Sequence, residues 1–139
     1  MQAFRYLLRV RYNECDAQGI VFNARWGDYV DIAVCEYARV LFGAIDAFDW
    51  RLVKQTIEWR APGRFDDVLE ARVATKAIGT TSFTLTCEFR RADSLLVTAE
   101  TIYVAVDRTG TKQVLSAPHR AALERGAPGT VVDHAGART

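Results

Sequence analysis

The spacing of apolar residues divides the chain into one helical segment and several extended ones. In residues 4–12, apolar side chains alternate with polar positions that are mainly arginines, which is typical of a half-buried strand. In residues 24–42 the apolar side chains recur every three or four positions, which predicts a helix about 28 Å long. Its polar stripe is narrow, so we expect it to be buried on most sides. Gly43 supplies a stop signal.

Alternation returns after the helix and continues through most of the remaining chain. The predicted strands are residues 52–60, 69–77, 82–90 and 95–106, with turn-forming residues between them. One strand, a long helix and four further strands predict an α+β fold in which an antiparallel sheet wraps one helix. Pro118 begins a short helix. We therefore predict a single domain over residues 1–125 and a flexible C-terminal tail over residues 126–139.

The charge balance and the apolar runs exclude several classes of protein. With 18 Lys and Arg against 17 Asp and Glu, the formal net charge is +1, which gives no overall attraction to nucleic acid or to a membrane. No apolar run approaches the ~18 residues of a membrane helix. Arginines interrupt the first residues, where a signal peptide would be apolar, so we expect a cytoplasmic protein.

The residues that usually build catalytic triads and metal sites are scarce. Both histidines, His119 and His134, lie near the C-terminal end, and serine occurs only at positions 82, 94 and 116. The cysteines, at positions 15, 35 and 87, are too scattered for a metal site and are expected to be mostly buried. No glycine-rich nucleotide loop is present. Acid–base chemistry should therefore depend on a carboxylate, and no metal is predicted.

The most informative segment is residues 12–26, between the first strand and the helix. The start of a helix exposes unpaired N–H groups and the positive end of the helix dipole, which together can bind an oxygen that gains negative charge. Asp16 lies seven residues before Asn23, across a turn at Gly19, so its carboxylate can face the same volume. The alternative is that Asp16 only forms the turn or caps the helix.

This segment resembles the hotdog-fold acyl-CoA thioesterases of the 4-hydroxybenzoyl-CoA thioesterase branch. The resemblance covers about three-quarters of the chain and depends on three short motifs that occur in the family's order. The first motif has the pattern Asp-x-x-Gly-x-Val followed by an aromatic residue, and here it is Asp16, Gly19, Val21 and Trp26. The second combines an aromatic residue, a proline and acidic residues, here Trp59, Pro62, Asp66 and Asp67. The third lies at the start of the following strand and contains Gly79, Ser82 and Phe83.

The resemblance implies a five-stranded antiparallel sheet around one helix, a homodimer or homotetramer, and active sites at the subunit interface. It implies hydrolysis of a short-chain or aryl acyl-CoA to the free acid and coenzyme A, with coenzyme A as part of the substrate and no other cofactor. Asp16 would be the nucleophile or general base, and the backbone N–H of Asn23 would polarise the thioester carbonyl. Relatives often carry His or Tyr at Asn23, whereas an amide cannot exchange protons near neutral pH.

Further residues are predicted to bind the substrate. In the 4-hydroxybenzoyl relatives, an Asp at the position of Asp31 contacts the substrate hydroxyl; the alternative is an ordinary surface aspartate. The other predicted pocket residues are Gly19, Val21, Trp26, Trp59 and Ser82, although aromatic residues at such spacing are often core. Four arginines at strand ends and turns are predicted to bind the phosphates of coenzyme A, because guanidinium groups suit phosphate: Arg60, Arg64, Arg90 and Arg91.

Three other functions are open to different degrees. A non-catalytic hotdog module that binds acyl-CoA or an acyl-carrier-protein thioester is kept open by Asn23. A carboxylate-driven isomerase with a conical α+β fold usually begins with helices, which the strand of residues 4–12 disfavours. A hotdog dehydratase relies on histidine, and no histidine precedes position 119.

Overall fold

The structure is a computed structural model that describes residues 3–46 and 48–136. These residues form six strands and two α-helices, with a single 3₁₀ turn after the first strand. In chain order the elements are β1 (Phe4–Arg9), the 3₁₀ turn (Tyr12–Glu14), α1 (Arg25–Phe42), β2 (Asp49–Trp59), β3 (Val68–Ile78), β4 (Ser82–Arg91), β5 (Ser94–Val106), α2 (Ala117–Arg125) and β6 (Val131–Asp133). The sheet order is β2-β5-β4-β3-β1-β6, and only the β1–β6 pair is parallel.

The core lies between α1 and one face of the sheet. Along β4 every second residue is buried, from Phe83 to Phe89, while the residues between them are partly exposed. Trp26 on α1 is 1% exposed, and its ring centroid lies 5.3 Å from that of Phe89. The predicted α+β arrangement of one long helix against an antiparallel sheet is confirmed, but the sheet has six strands where five were expected.

Two boundaries of the first half differ slightly from the prediction. The first strand ends at Arg9, because the backbone then enters the 3₁₀ turn, and Tyr12 is 81% exposed. The helix begins at Arg25, one residue later than expected, and it ends as predicted at Gly43. Gly43 has a φ of 78°, a left-handed conformation that favours glycine, and its N–H donates to the carbonyl of Arg39 at 3.0 Å.

The predicted burial of α1 and the alternation along β2 are each only partly correct. Ile32 and Val40 on α1 are exposed, so the helix is not buried on most sides within one chain. The pairing of β2 with β5 shifts register between Leu52 and Lys54, which interrupts the single alternation expected over residues 52–60. As an edge strand, β2 leaves apolar side chains open to solvent.

The flexible tail predicted for residues 126–139 is corrected over its described part. Val131–Asp133 forms β6, which pairs with β1 in the parallel direction. Arg5 donates its N–H to the carbonyl of Thr130 at 3.0 Å. A three-residue strand has no recognisable hydrophobic period, so only its pairing with β1 reveals it. Residues 137–139 lie outside the described residues.

A chain that ends at Arg125 is expected to be less stable and to self-associate. Its β1 edge would lose its backbone partners, and Arg9 would lose the carbonyl of Ala135, to which its Nε donates at 2.9 Å. Urea unfolding and analytical ultracentrifugation measure the two effects, and a chain that ends at Gly136 is the control. Equal stability and equal size for the two shortened chains would contradict a structural role for β6.

Candidate active site

A tight hairpin between the 3₁₀ turn and α1 carries Asp16. Cys15 pairs with Val21, and the N–H of Asp16 donates to the carbonyl of Ile20 at 2.9 Å. Gly19 donates its N–H to the carbonyl of Asp16 at 3.0 Å, and its φ of 77° lies in the left-handed region. The glycine of the Asp-x-x-Gly-x-Val motif is therefore needed for the turn itself.

The Asp16 carboxylate is exposed on an open groove of about 470 Å³. Its Oδ1 accepts a hydrogen bond from the N–H of Gln18 at 2.8 Å, while its Oδ2 has no partner among the residues that the structure describes. The other groove residues are Tyr12, Asn13, Cys15, Ala17, Gly19 and Phe65. The turn thus fixes one oxygen and leaves the other available, which suits a nucleophile or a general base.

The start of α1 is not capped by a side chain. Ala24 occupies the N-cap position, and Asn23 lies one residue before it, so Asn23 does not begin the helix itself. Within the described ranges, the N–H groups of Asn23 and Ala24 donate to no protein acceptor. The predicted exposed N–H groups at the positive end of the helix dipole are therefore present.

Asp16 and Asn23 lie at different ends of the hairpin. Asp16 is opposite Ile20, whereas Asn23 follows Phe22, whose N–H donates to the carbonyl of Glu14 at 3.0 Å. Ile20 and Val21 are paired in extended backbone, and the chain turns after them, where the carbonyl of Phe22 accepts the N–H of Arg25 at 2.8 Å. Asn23 does not line the groove of Asp16.

The loop of residues 61–67 supports the hairpin from one side. Val21 donates its N–H to the carbonyl of Gly63 at 2.8 Å, and Phe65 donates its N–H to the carbonyl of Gly19 at 3.1 Å. Gly63 is buried, and a Cβ there would lie 3.2 Å from both a Val21 methyl and the Trp26 ring. The first two sequence motifs are therefore adjacent in space, and a side chain at position 63 would crowd Val21 and Trp26 at this close approach.

Two predicted pocket residues belong to the core instead. Val21 is 3% exposed and Trp26 is 1% exposed. The Trp26 ring packs edge-on against Tyr29 and Phe89, with centroids at 5.4 and 5.3 Å. Neither side chain faces the Asp16 groove, because their apolar surface is used to anchor the hairpin and the helix to the sheet.

The other predicted substrate residues lie apart from Asp16 within one chain. Asp31 lines a separate cavity of about 240 Å³ together with Trp50, Leu52 and Tyr103. Burial, followed by the charge of Asp28, raises the pKa of Asp31.

Trp59 and Ser82 are the remaining two. Trp59 ends β2 and is 51% exposed. Ser82 begins β4, at the opposite end from Arg91, so roughly 30 Å of extended strand separates those two residues. Neither Trp59 nor Ser82 lines the Asp16 groove.

The four predicted phosphate-binding arginines divide into two pairs. Arg91 donates to Asp67 at 2.8 Å, and Arg90 donates to Glu88 at 3.1 Å, so both have carboxylate partners. In the described part of the chain, the side chains of Arg60 and Arg64 make no hydrogen bond or ion pair. Arg60 and Arg64 are therefore freer than Arg90 and Arg91 to bind a phosphate group.

A buried carboxylate that the sequence analysis did not single out lies beneath the hairpin. Glu14 is 4% exposed, and its Oε1 accepts hydrogen bonds from the N–H of Arg11 and from the hydroxyl of Tyr29, both at 2.8 Å. Its Oε2 accepts from Nε and Nη2 of Arg11 at 2.9 and 2.6 Å. Burial and the Glu14 carboxylate raise the pKa of Tyr29, which therefore keeps its proton and remains a donor.

The groove residues Tyr12 and Phe65 were also missed. Their rings meet edge-on with centroids 5.8 Å apart, and both are exposed. An aromatic residue among turn-forming residues is a signal in the sequence that could have identified Phe65 as a surface residue. The strand predicted for residues 4–12 includes Tyr12, and only the 3₁₀ turn brings it to the groove.

Metal-ligating clusters and membrane-spanning helices are not found in the part of the chain that the structure describes. No three His, Cys, Asp or Glu side chains lie close enough there to bind a metal ion. Neither described helix is long and apolar enough to cross a membrane. Cys87 is buried, as expected, whereas Cys15 and Cys35 are only partly buried.

Sequence comparison relates this chain to known enzymes. The model of the thioesterase superfamily matches residues 18–98. The acyl-CoA thioester hydrolase YbgC of Escherichia coli O157:H7 is 33% identical over 112 residues, which cover 75% of this chain and 82% of YbgC. YbgC of Shigella flexneri shows the same identity and coverage.

Solved structures share the fold at lower identity. A hypothetical protein from Aquifex aeolicus has a TM-score of 0.81 at 24% identity, covering 86% of this chain and 98% of its own. A gentisyl-coenzyme A thioesterase has a TM-score of 0.79 at 22% identity, with the same two coverages. A 1,4-dihydroxy-2-naphthoyl-CoA thioesterase from Synechocystis has a TM-score of 0.77 at 22% identity, covering 87% and 95%. These similarities confirm the predicted hotdog fold.

Replacing Glu14 by Gln should lower stability in a pH-dependent way. Burial raises the pKa of Glu14, but the hydrogen bonds from Arg11 and Tyr29 outweigh it, so the pKa lies below the usual 4.5. A carboxyl whose pKa is lower in the folded state adds stability above the unfolded pKa and loses it as the pH falls through the folded pKa. The free energy of unfolding should therefore fall by about 2 kcal/mol at neutral pH and by less in acid.

Urea unfolding of the wild type and Glu14→Gln over a series of pH values measures this difference. A stability loss of the same size at neutral and strongly acid pH would contradict the hydrogen-bonded, ionised state of Glu14.

Proposed function

The chain belongs to the thioesterase superfamily and is a thioester hydrolase, and on that premise we propose that it cleaves acyl-CoA thioesters to the free acid and coenzyme A. The name of YbgC, an acyl-CoA thioester hydrolase, supports coenzyme A as the carrier. The acyl group in this proposal is short-chain or aryl. Coenzyme A enters as part of the substrate.

Asp16 is the proposed nucleophile or general base. The observation that carries this role is the exposed carboxylate in the groove, with Oδ1 held by Gln18 and Oδ2 free among the described residues. A thiol has a pKa near 8.5, so the thiolate of coenzyme A leaves without strong help from a general acid. One well-placed carboxylate therefore suits a thioester better than an amide, whose nitrogen must be protonated to leave.

The N–H of Asn23 is the proposed donor to the thioester carbonyl oxygen. It has no acceptor in the described part of the chain, and it lies at the positive end of α1. The hairpin joins this N–H to Asp16, because Asp16 is opposite Ile20, three residues before Asn23. A carbonyl between the two groups would meet both.

Arg60 and Arg64 are the preferred ligands for the phosphates of coenzyme A. Both are exposed, and neither side chain has a protein partner in the described ranges. Arg64 pairs through its backbone with Ile20, which places it beside the Asp16 hairpin. Arg90 and Arg91 stay secondary candidates, because phosphate would compete there with Glu88 and Asp67.

A homodimer through the β2 edge is the proposed assembly. β2 is an eleven-residue edge strand, and Leu52, Val53 and Trp59 on it are 44%, 57% and 51% exposed. The opposite edge of the sheet is covered by β6, so β2 offers the longer free row of backbone groups. The cavity that contains Asp31, Trp50 and Leu52 lies along this edge, where a partner chain would complete it.

Asp16→Asn should abolish most of the hydrolysis of acyl-CoA thioesters while the fold is kept. A carboxamide can neither attack the thioester as an anion nor accept a proton from water, so kcat should fall at least 100-fold. Release of free thiol from a panel of short-chain, branched and aryl CoA thioesters measures activity, and circular dichroism checks the fold.

Asp107→Asn is the control for removal of a turn carboxylate, because Asp107 also accepts an N–H two residues on, from Thr109 at 2.8 Å, together with bonds from Thr111 and Gln113. It should keep wild-type activity. Equal rates for Asp16→Asn and the wild type would contradict the role of Asp16. Tight binding of CoA esters by the wild type without thiol release would instead support a binding module.

Val53→Asp should disrupt self-association, because it places a charge on the β2 edge. Sedimentation of the wild type should show a multiple of the 15.6 kDa chain, and the variant should shift towards the single chain. Val114→Asp is the control, since Val114 is a 69% exposed valine outside the sheet. A wild type that sediments only as a single chain would contradict the proposed dimer.

A further inference from the structure

Glu14 is the one charged residue with a buried side chain in the described ranges 3–46 and 48–136. A buried carboxylate is costly unless hydrogen bonds compensate for its lost hydration. Here four donors do so, three of them from Arg11 and the fourth from the hydroxyl of Tyr29. Each carboxylate oxygen therefore accepts two hydrogen bonds, and together these bonds compensate for the lost hydration of the charge.

Glu14 does not act on a substrate in the Asp16 groove. Its oxygens have no free position for a further donor, and its side chain does not line that groove. It lines a different cavity, on the side of β1, with Tyr6 and His134 among its neighbours. Any influence on the reaction must therefore pass through the residues to which Glu14 is bonded.

Those bonds join the parts of the proposed site. The carbonyl of Glu14 accepts the N–H of Phe22, the residue just before Asn23. Its carboxylate holds Tyr29, which lies in the second turn of α1. Asp16, which begins the turn of the hairpin, lies two residues after Glu14 in the chain. One side chain and its backbone thus link the hairpin of Asp16 to the start of the helix.

We propose that Glu14 is a positioning residue, which fixes the Asp16 hairpin relative to the N–H groups at the start of α1. This inference rests on the proposed function. An apolar side chain of similar size can fill a buried site with equal or better stability, so stability alone does not account for a charge at this position. A buried carboxylate whose donors are all specified permits one arrangement. Positioning matters here, because a misplacement of about 1 Å can cost up to 100-fold in rate.

Tyr29→Phe tests the proposal by removing a single hydroxyl from this network. Tyr37→Phe is a closely matched control on the same helix. Both tyrosines are 1% exposed, and each hydroxyl makes one side-chain hydrogen bond of 2.8 Å, between Tyr29 and Glu14 and between Tyr37 and Thr75. The bond to the Glu14 carboxylate is charge-assisted, so Tyr29→Phe should lose more stability than Tyr37→Phe, and only Tyr29→Phe changes the link to the hairpin.

We expect kcat to fall about tenfold in Tyr29→Phe, with little change in KM, and to stay at the wild-type value in Tyr37→Phe. Glu14→Gln should lower kcat further, since it weakens the bonds to both Arg11 and Tyr29. Hydrogen exchange provides a readout that is independent of activity. The amides of residues 15–24 should exchange faster in Tyr29→Phe than in Tyr37→Phe.

The two readouts separate failure of this proposal from failure of the proposed function. An active wild type with the same kcat in both tyrosine variants would overturn the positioning role and show that the network only stabilises the fold. A wild type that releases no thiol would contradict the proposed function instead. In that case, equal exchange of residues 15–24 in the two variants would overturn the positioning role as well.

Discussion

The backbone pairing between residues 19–21 and residues 63–65 is the contact on which the candidate site depends. The hairpin that carries Asp16 lies outside the main sheet, so it has no strand neighbour there to hold it. The second loop supplies that neighbour, and Gly63 permits the close approach. Asp67 in turn holds the loop, because its carboxylate accepts from the N–H of Arg64 and from Arg91. β4 thus holds the loop through Arg91, and the loop holds the hairpin through its backbone hydrogen bonds.

Two carboxylates, two residues apart in the chain, have opposite environments. Asp16 is exposed, with one oxygen bound to a single N–H, whereas Glu14 is buried and bonded to four donors. The protein therefore gives the exposed group a defined place without removing it from water. This division suits a reaction whose leaving group is a stable thiolate, since such a reaction needs an accurately placed anion more than a strong acid.

The sequence predicts the large elements well and the contacts between loops poorly. The helix over most of residues 24–42, its stop at Gly43 and the strands that follow depend on local periods and turn residues, which a single sequence displays. The turn at Asp16 and Gly19 follows for the same reason. The role of Gly63 and the bond of Glu14 to Tyr29 depend on residues distant in sequence or in another element, and no local pattern encodes them. Trp26 was misplaced because an aromatic residue at helical spacing fits a core and a pocket equally well.

The unequal edges of the sheet limit how far copies of this chain can be joined through main-chain hydrogen bonds. β6 occupies one edge with the chain's own backbone, and β2 leaves the other edge free. A protein with two free edges can add copies at both sides and grow into a fibre. A second copy added at β6 would pair with only three residues, so strand addition is favoured at β2 and disfavoured at the opposite edge. The short parallel strand therefore shortens the exposed edge of the sheet as well as completing the fold.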